Sequence, residues 1–224
     1  MVTFIHDSDD WTPRRQHGRP DRDAEVNYRF HQWQLTDDGI FVHGEDGVRR
    51  TRGEPKTLRR IVEVFHKEIF AASGASGIGE QLLAAVIATE SGGKPDAERF
   101  EQHLNDYSIG LMQTLTATAK QVMRLDGDLP RLSAKSVPSG GGLDTWRGFL
   151  REPVNSIGLG AGYLRHQNRT LELRSDPILL YCSYNAGSVR QSSKNAWGIV
   201  SYGNALDHFS RWYGDACEVY GVCE

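Results

Sequence analysis

The sequence lacks several features by which whole classes of protein are recognised. Its 224 residues carry a formal net charge of only -3, with 26 basic and 29 acidic side chains. This near balance gives no global electrostatic case for binding nucleic acid or an anionic membrane. No apolar run approaches the roughly 18 residues that a bilayer-spanning helix needs. We therefore expect neither a nucleic-acid partner nor a membrane span.

Cysteine is also scarce, and the count of three allows at most one internal disulfide. Cys217 and Cys223 are close enough in sequence to pair, whereas Cys182 lies in an apolar segment and is expected to be a buried free thiol. The eight histidines include no HExxH pattern and no close cluster with cysteine. We predict no metal site and no cofactor.

The common motifs of nucleophilic and phosphate chemistry are missing too. Neither SYNAGS nor GASGIG forms the GxSxG elbow of serine hydrolases. GASGIG also lacks the spacing of a phosphate-binding loop, and no predicted strand precedes it. The sequence therefore gives little support for serine-hydrolase or phosphate-loop chemistry.

The chain is expected to contain an N-terminal segment, residues 1–54, and one larger domain, residues 55–224. Residues 1 to about 28 are polar and rich in Asp and Arg, which is typical of a charged arm. In the stretch that follows, Trp33 and Leu35 alternate with polar residues, Asp38-Gly39 gives a turn, and Ile40 and Val42 alternate again. This pattern predicts a β-hairpin.

From Pro55 onward the apolar spacing is helical. The first predicted helix begins near Pro55 and ends before Gly74, and the segment GEQLLAAVIATESGG, apolar on nearly all sides, predicts a central buried helix. Four more helices are predicted in residues 116–125 and in VNSIGLGAGYLRHQN, DPILLYCSYNAG and NALDHFSRWYG. Residues 136–148, SVPSGGGLDTWRG, are rich in glycine and predict a surface loop. The fold class is therefore mainly α, with a minor β component in an α+β arrangement.

One carboxylate stands out at the end of the central helix. Glu90 closes the apolar run in ATESGG, directly before Gly92 and Gly93. A carboxyl group that has apolar packing on one side and a cleft on the other tends to keep its proton near neutral pH, as a general acid requires. The alternative is a solvated glutamate on an ordinary last helical turn.

Four short stretches, taken together, favour the catalytic interpretation. They are ATESGG at 88–93, SIGLMQ at 108–113, NSIGLGAGYL at 155–164 and YCSYNAG at 181–187. Their order and spacing resemble the lysozyme-like domain of the soluble lytic transglycosylases, which are related to goose-type lysozyme. The resemblance covers roughly residues 57–214 and implies a lysozyme-like helical domain there. It does not account for the small N-terminal hairpin and arm or for the last few residues.

The resemblance implies a reaction and a set of site residues. Glu90 would act as general acid and base on the β-1,4 bond between N-acetylmuramic acid and N-acetylglucosamine, and a 1,6-anhydro ring would form. Tyr184 would orient or polarise this carboxylate. Gln113 would bind sugar hydroxyls and amides, with Ser91, Met112 and Asn185 as further substrate-binding residues.

A second carboxylate stays an open alternative. Glu90 and Gln113 are further apart in sequence than in the commonest transglycosylases, and Asp106 is the acid in this segment closest to GLMQ. If Asp106 faces Glu90 with room for water, inverting hydrolysis of the goose type becomes feasible. Otherwise it is a solvated loop acid. The aspartate expected after Gln113 in a goose-type enzyme is replaced by Thr114, which favours transglycosylation.

Two other functions remain alternatives, namely a chitin-cleaving enzyme and a catalytically silent glycan-binding module. In each case the expected partner is a glycan strand, and for the main prediction it is peptidoglycan of the cell wall or periplasm. The N-terminus lacks the apolar core of a signal peptide. We therefore expect delivery by other machinery, such as an endolysin route of a bacteriophage or a secretion system.

Overall fold

The computed structural model describes residues 4–5, 33–125, 138, 141–192, 195, 197–202 and 204–221. In these ranges there are seven helices: α1 Lys56–Ser76, α2 Glu80–Ser91, α3 Thr116–Leu125, α4 Leu143–Arg151, α5 Pro153–Leu171, α6 Pro177–Ala186 and α7 Ala205–Gly221. Six short strands accompany them: β1 Phe4–Ile5, β2 Trp33–Thr36, β3 Gly39–Val42, β4 Glu98–Glu101, β5 Asp106–Ile109 and β6 Thr114–Leu115. The predicted mainly α class with a small β component is confirmed.

The chain divides into two compact units. The contiguous unit comprises residues 54–166, and the split unit combines residues 1–53 with residues 167–224. The predicted division into residues 1–54 and 55–224 stays a prediction. Within the described residues, no helix is both long enough and apolar enough to cross a membrane.

In the contiguous unit, α2 is the central helix. All seven residues from Leu82 to Ala88 are buried, which is why this helix is apolar around its whole circumference. The amphipathic helix α1 packs against it through one apolar face that includes Leu58, Ile61, Phe65 and Ile69. This packing fixes the direction in which the last turn of α2 points.

A three-stranded antiparallel sheet of order β4-β5-β6 follows α2. In the register of its first pair, Phe100 lies opposite Tyr107 and Glu98 lies opposite Ile109. The inner end of the sheet joins a hydrophobic cluster with α3, α4 and α5, formed by Ile109, Ala119, Val122, Trp146, Phe149, Leu150 and Leu159. The sheet therefore connects the end of α2 to the remaining helices of the unit.

In the split unit, the sheet has the order β1-β2-β3, and the β2–β3 pair is the predicted hairpin. The hairpin packs closely on α7, because a Cβ atom on Gly39 would lie 2.8 Å from the Cα of Gly214. The chain after β3 is held by Asp215, whose carboxylate accepts hydrogen bonds from the backbone N–H of Thr51 at 3.0 Å and from the Thr51 hydroxyl. The hairpin is thus an integral part of this unit.

Several sequence expectations need correction or fall outside the described residues. The first helix does not end at Gly74; it continues to Ser76 and ends at Gly77, which has φ of 72°. The loop predicted over residues 136–148 is wrong for its second half, because α4 begins at Leu143. Strands β4 to β6 were not predicted. Apart from β1, the charged arm lies outside the described residues, as does Cys223, so its pairing with Cys217 stays a prediction.

Candidate active site

Glu90 is the second-last residue of α2, and its side chain is half-buried. The helix ends as the sequence predicts, because Gly92 adopts a left-handed conformation with φ of 61° and its N–H donates to the carbonyl of Ala88 at 3.2 Å. Gly93 also has a positive φ, 77°. The carboxylate therefore lies where a fully buried helix reaches the surface of its unit.

Ser91 connects the end of α2 to the SIGLMQ stretch. Its hydroxyl donates to the carbonyl of Leu111 at 2.7 Å, with the Ile87 carbonyl as an alternative acceptor at 3.1 Å. The same oxygen accepts the N–H of Gly93 at 3.2 Å. Ser91 thus has a clear structural role, and its binding to substrate stays a prediction.

Gln113 has a left-handed backbone with φ of 46°. Its side-chain amide nitrogen donates to the carbonyls of Ala97 at 2.9 Å and Gly110 at 3.0 Å. Both protons of the side-chain amide are therefore engaged in hydrogen bonds to backbone carbonyls. The side-chain oxygen of Gln113 is the atom that can accept a hydrogen bond from a sugar hydroxyl.

The SIGLMQ stretch also packs closely against α5. Met112 is fully buried, its N–H donates to the hydroxyl of Ser156 at 3.2 Å, and its sulfur occupies the space that a Cβ atom on Gly160 would need. Gly110 is equally constrained, since a Cβ there would lie 2.1 Å from the carbonyl oxygen of Leu150. Met112 is therefore a packing residue here, and its contact with substrate stays a prediction.

Asp106 binds the first turn of α3. Its carboxylate accepts hydrogen bonds from the hydroxyl of Thr116 at 2.5 Å, from the N–H of Ala117 at 2.9 Å and from the N–H of Tyr107 at 2.7 Å. A carboxylate in this position satisfies unpaired N–H groups and interacts favourably with the helix dipole. Its two oxygens are thus already used as a helix cap.

A second charged group fixes the sheet to α4. The guanidinium of Arg147 donates to both oxygens of Glu98, at 2.9 and 3.1 Å, and to Asp144 at 2.8 Å, and it also lies over the ring of Tyr107. These hydrogen bonds raise the pKa of Arg147 above its ordinary value, although burial opposes the shift. This cluster was missed in the sequence because its members are far apart along the chain.

Tyr184 and Asn185 belong to the split unit, in the last turn of α6. Asp176 caps the start of this helix by accepting the N–H of Leu179 at 2.9 Å. At the other end, the side-chain oxygen of Asn185 accepts the N–H of Tyr202 at 3.1 Å. Asn185 therefore stabilises the chain that follows α6. The catalytic role of Tyr184 and the substrate contact of Asn185 stay predictions.

Cys182 lies on the same helix and is fully buried, as predicted. Burial raises the pKa of its thiol to about 12, with a smaller opposing effect from Arg190. The thiol is therefore neutral at physiological pH and unsuited to act as a nucleophile. In the part of the chain that the structure describes, no group of His, Cys, Asp and Glu side chains could hold a metal ion.

Comparisons with known proteins agree with the motif order. A search of curated proteins gave no match. The model of the transglycosylase SLT domain family matches residues 67–197, more than half of the chain, and this segment contains all four motifs. The chain therefore belongs to the transglycosylase SLT domain family, whose members are lytic transglycosylases, enzymes that act on the peptidoglycan of the cell wall.

Proposed function

We propose that this protein cleaves the β-1,4 bond between N-acetylmuramic acid and N-acetylglucosamine, with Glu90 as its general acid and base. The observation that carries the proposal is the position of Glu90 at the end of the buried helix α2, next to Ser91, whose hydroxyl binds the Leu111 carbonyl. Two of the four motifs are thereby held together at one carboxylate.

The proposed reaction needs one carboxyl group and no water. Glu90 donates its proton to the glycosidic oxygen, and the bond from this oxygen to C1 of the muramic acid breaks. The acetamido group of the substrate stabilises the cationic C1. The C6 hydroxyl then attacks C1 and gives its proton to the Glu90 carboxylate, which closes the 1,6-anhydro ring and restores the acid.

The hydrogen bonds of Asp106 support transglycosylation over inverting hydrolysis. An inverting enzyme needs a second carboxylate that activates water. Asp106 accepts hydrogen bonds from Thr116, Ala117 and Tyr107 instead, which is a stabilising role at the start of α3. Hydrolysis of the goose type would require this carboxylate to activate water while it also holds the start of α3.

Supporting roles are proposed for the remaining motif residues. Tyr184 assists the carboxylate, on the strength of the family resemblance alone. Gln113 holds the turn before β6 and offers its side-chain oxygen to the sugar, while Ser91 and Met112 maintain the shape of the site. Substrate binding by Asn185 rests, like the role of Tyr184, on the family resemblance alone. Delivery to the wall by a bacteriophage or a secretion system stays a prediction from the sequence.

Digestion of purified peptidoglycan followed by mass spectrometry of the muropeptides tests the proposal. We expect products that are lighter by one water than their reducing counterparts, and we expect none from the Glu90→Gln variant. Reducing products would mean hydrolysis. Cleavage of chitin in preference to peptidoglycan would favour the chitinase alternative, and tight binding without any product would favour a glycan-binding module.

A further inference from the structure

The end of α2 is contacted by an arginine that lies outside the matched family segment. Arg60 is on α1, seven residues before the segment begins at residue 67. Its guanidinium donates a hydrogen bond of 2.9 Å to the carbonyl of Gly92, the residue that ends the helix. This contact joins α1 to the chain two residues after Glu90.

The contacted carbonyl belongs to the left-handed residue that directly follows the last turn of α2. The N–H of this residue donates to the carbonyl of Ala88 and caps the helix, and the last carbonyls of the helix nearby form the negative end of its dipole. A guanidinium there supplies both a donor and a positive charge. Arg60 therefore stabilises the last turn of α2 in its present direction.

The next residue leaves little freedom for another path. Gly93 has φ of 77°, and a Cβ atom on it would lie 2.7 Å from the side chain of Ile61. Ile61 is fully buried on α1, so it cannot move away easily. Two consecutive residues of α1, Arg60 and Ile61, thus determine where the chain goes after Glu90.

We propose that Arg60 is a positioning residue for Glu90. The inference rests on the proposed function, in which Glu90 is the acid. Helix ends fray readily, and the second-last residue of a helix moves with its last turn. On one side this turn is held by the bond from Ser91 to Leu111, and on the α1 side by Arg60. Loss of the Arg60 contact would let the carboxylate move relative to the glycosidic oxygen.

Replacement of Arg60 by methionine, which removes the donors and the charge, tests this role. A misplacement of the acid slows the chemical step and leaves substrate binding intact. We expect kcat of Arg60→Met to fall by about five- to tenfold, with KM within about twofold of the parent. Arg60→Lys, which keeps one charged donor group, should recover part of the loss.

Arg59→Met is the matched control. Arg59 precedes Arg60 on the same helix, is also exposed, and forms an ion pair with Glu54 at 3.3 Å. It makes the same change in charge on the same helix, and its described ion pair is with Glu54 and not with Gly92, so its kcat should equal that of the parent. Unfolding temperatures of all variants, measured alongside, separate loss of fold from loss of positioning.

Four outcomes would contradict the proposal, and they separate it from the function on which it rests. If Arg60→Met keeps parental kcat while Glu90→Gln is inactive, the Arg60 inference fails and the proposed function stands. If kcat of Arg59→Met falls as much as kcat of Arg60→Met, the effect comes from the loss of a positive charge on α1 and not from the contact with Gly92. A lower unfolding temperature with unchanged kcat would show a purely structural role. Turnover by Glu90→Gln would overturn both proposals.

Discussion

The hydroxyl of Ser91 donates a hydrogen bond to the carbonyl of Leu111, 2.7 Å away. This bond connects the stretch that carries the candidate acid to the stretch that carries Gln113. Two carbonyls are within reach of this hydroxyl. That of Ile87 belongs to the same helix as Ser91, whereas that of Leu111 belongs to the turn between β5 and β6. The relation suggests a variant that uncouples the two motifs with minimal change in volume.

Ser91→Ala should lower kcat by several-fold and cost about 1 kcal/mol of unfolding free energy, because the Leu111 carbonyl loses its donor. Kinetics on peptidoglycan and urea unfolding measure the two effects. Thr89→Val is the matched control, since the Thr89 hydroxyl bonds only the Ala85 carbonyl of its own helix, among the contacts described. Equal losses in kcat from both variants would mean that the bond to Leu111 is unimportant.

The two glycines after Glu90 should respond differently to alanine. Both have a positive φ, which costs a non-glycine residue about 1 kcal/mol. A Cβ on Gly92 would meet nothing within 4 Å, whereas one on Gly93 would clash with Ile61 at 2.7 Å. Gly93→Ala should therefore lose about 2–3 kcal/mol in urea unfolding and Gly92→Ala about 1 kcal/mol. The reverse order would show that the path past α1 is adaptable.

Asp106→Ala should affect stability and spare turnover. It removes a carboxylate that caps α3, at a cost of about 1–2 kcal/mol. We expect kcat within about twofold of the parent once folding is complete. Asp96→Ala, which removes an exposed acid of the same segment, should change neither quantity. A collapse of kcat with parental stability would instead identify Asp106 as the base of a hydrolase.

Trp33→Phe tests the attachment of the hairpin to its unit. The indole N–H of Trp33 donates to the buried carboxylate of Asp176 at 2.9 Å, and this carboxylate also caps α6. Loss of the donor should cost about 1–2 kcal/mol. In a double-mutant cycle with Asp176→Asn, measured by urea unfolding, the two effects should be clearly non-additive. Additive effects would mean that the bond contributes nothing of its own.

Stability should decrease in alkaline solution. Burial raises the pKa of Cys182 from 9.0 to about 12 and that of Cys217 to about 11. Above pH 9 the unfolded chain releases these protons while the folded chain keeps them, so the stabilisation present below pH 9 is lost as the pH rises toward 12. Each thiol should contribute a loss of about 1 kcal/mol by pH 10.

The comparison of Cys182→Ala with the parent at pH 8 and pH 10 isolates one of these contributions. The variant should start less stable, because a buried sulfur is removed, but should lose less between the two pH values. Urea unfolding at each pH provides the measurement. An unchanged loss between pH 8 and 10 would show that Cys182 is not part of the alkaline transition.

The features that could be predicted from the sequence are local ones. The limits of α2 follow from an apolar run and the glycine after it, and α3 was predicted over its full range. The prediction was wrong where a glycine that usually ends a helix lies among residues that pack in the core. Gly74 is inside α1, because Ala72 and Ser76 on either side are buried and their packing outweighs the cost of a helical glycine.

The elements that were not predicted, α4 and strands β4 and β5, depend on tertiary packing. Helix α4 has only nine residues, and its buried face of Trp146, Phe149 and Leu150 is preceded by several glycines that suggested a loop. Strands β4 and β5 are polar and short, so their sequences show little of the alternation between apolar and polar residues that predicts a strand. At the site, the position of Glu90 at a helix end was predictable from local sequence, whereas the hydrogen bond of Ser91 to Leu111 joins two separate motifs and was not.

The connection between Thr51 and Asp215 has a consequence for the order in which the protein is built. The hairpin is synthesised before its partner α7, with residues 54–166 between them in the sequence. Residues 54–166 can complete their own core earlier, since all their segments are contiguous. The hairpin cannot complete its packing until α7 has been synthesised, and closing so long a loop is slow. The split unit is therefore expected to fold later than the contiguous one.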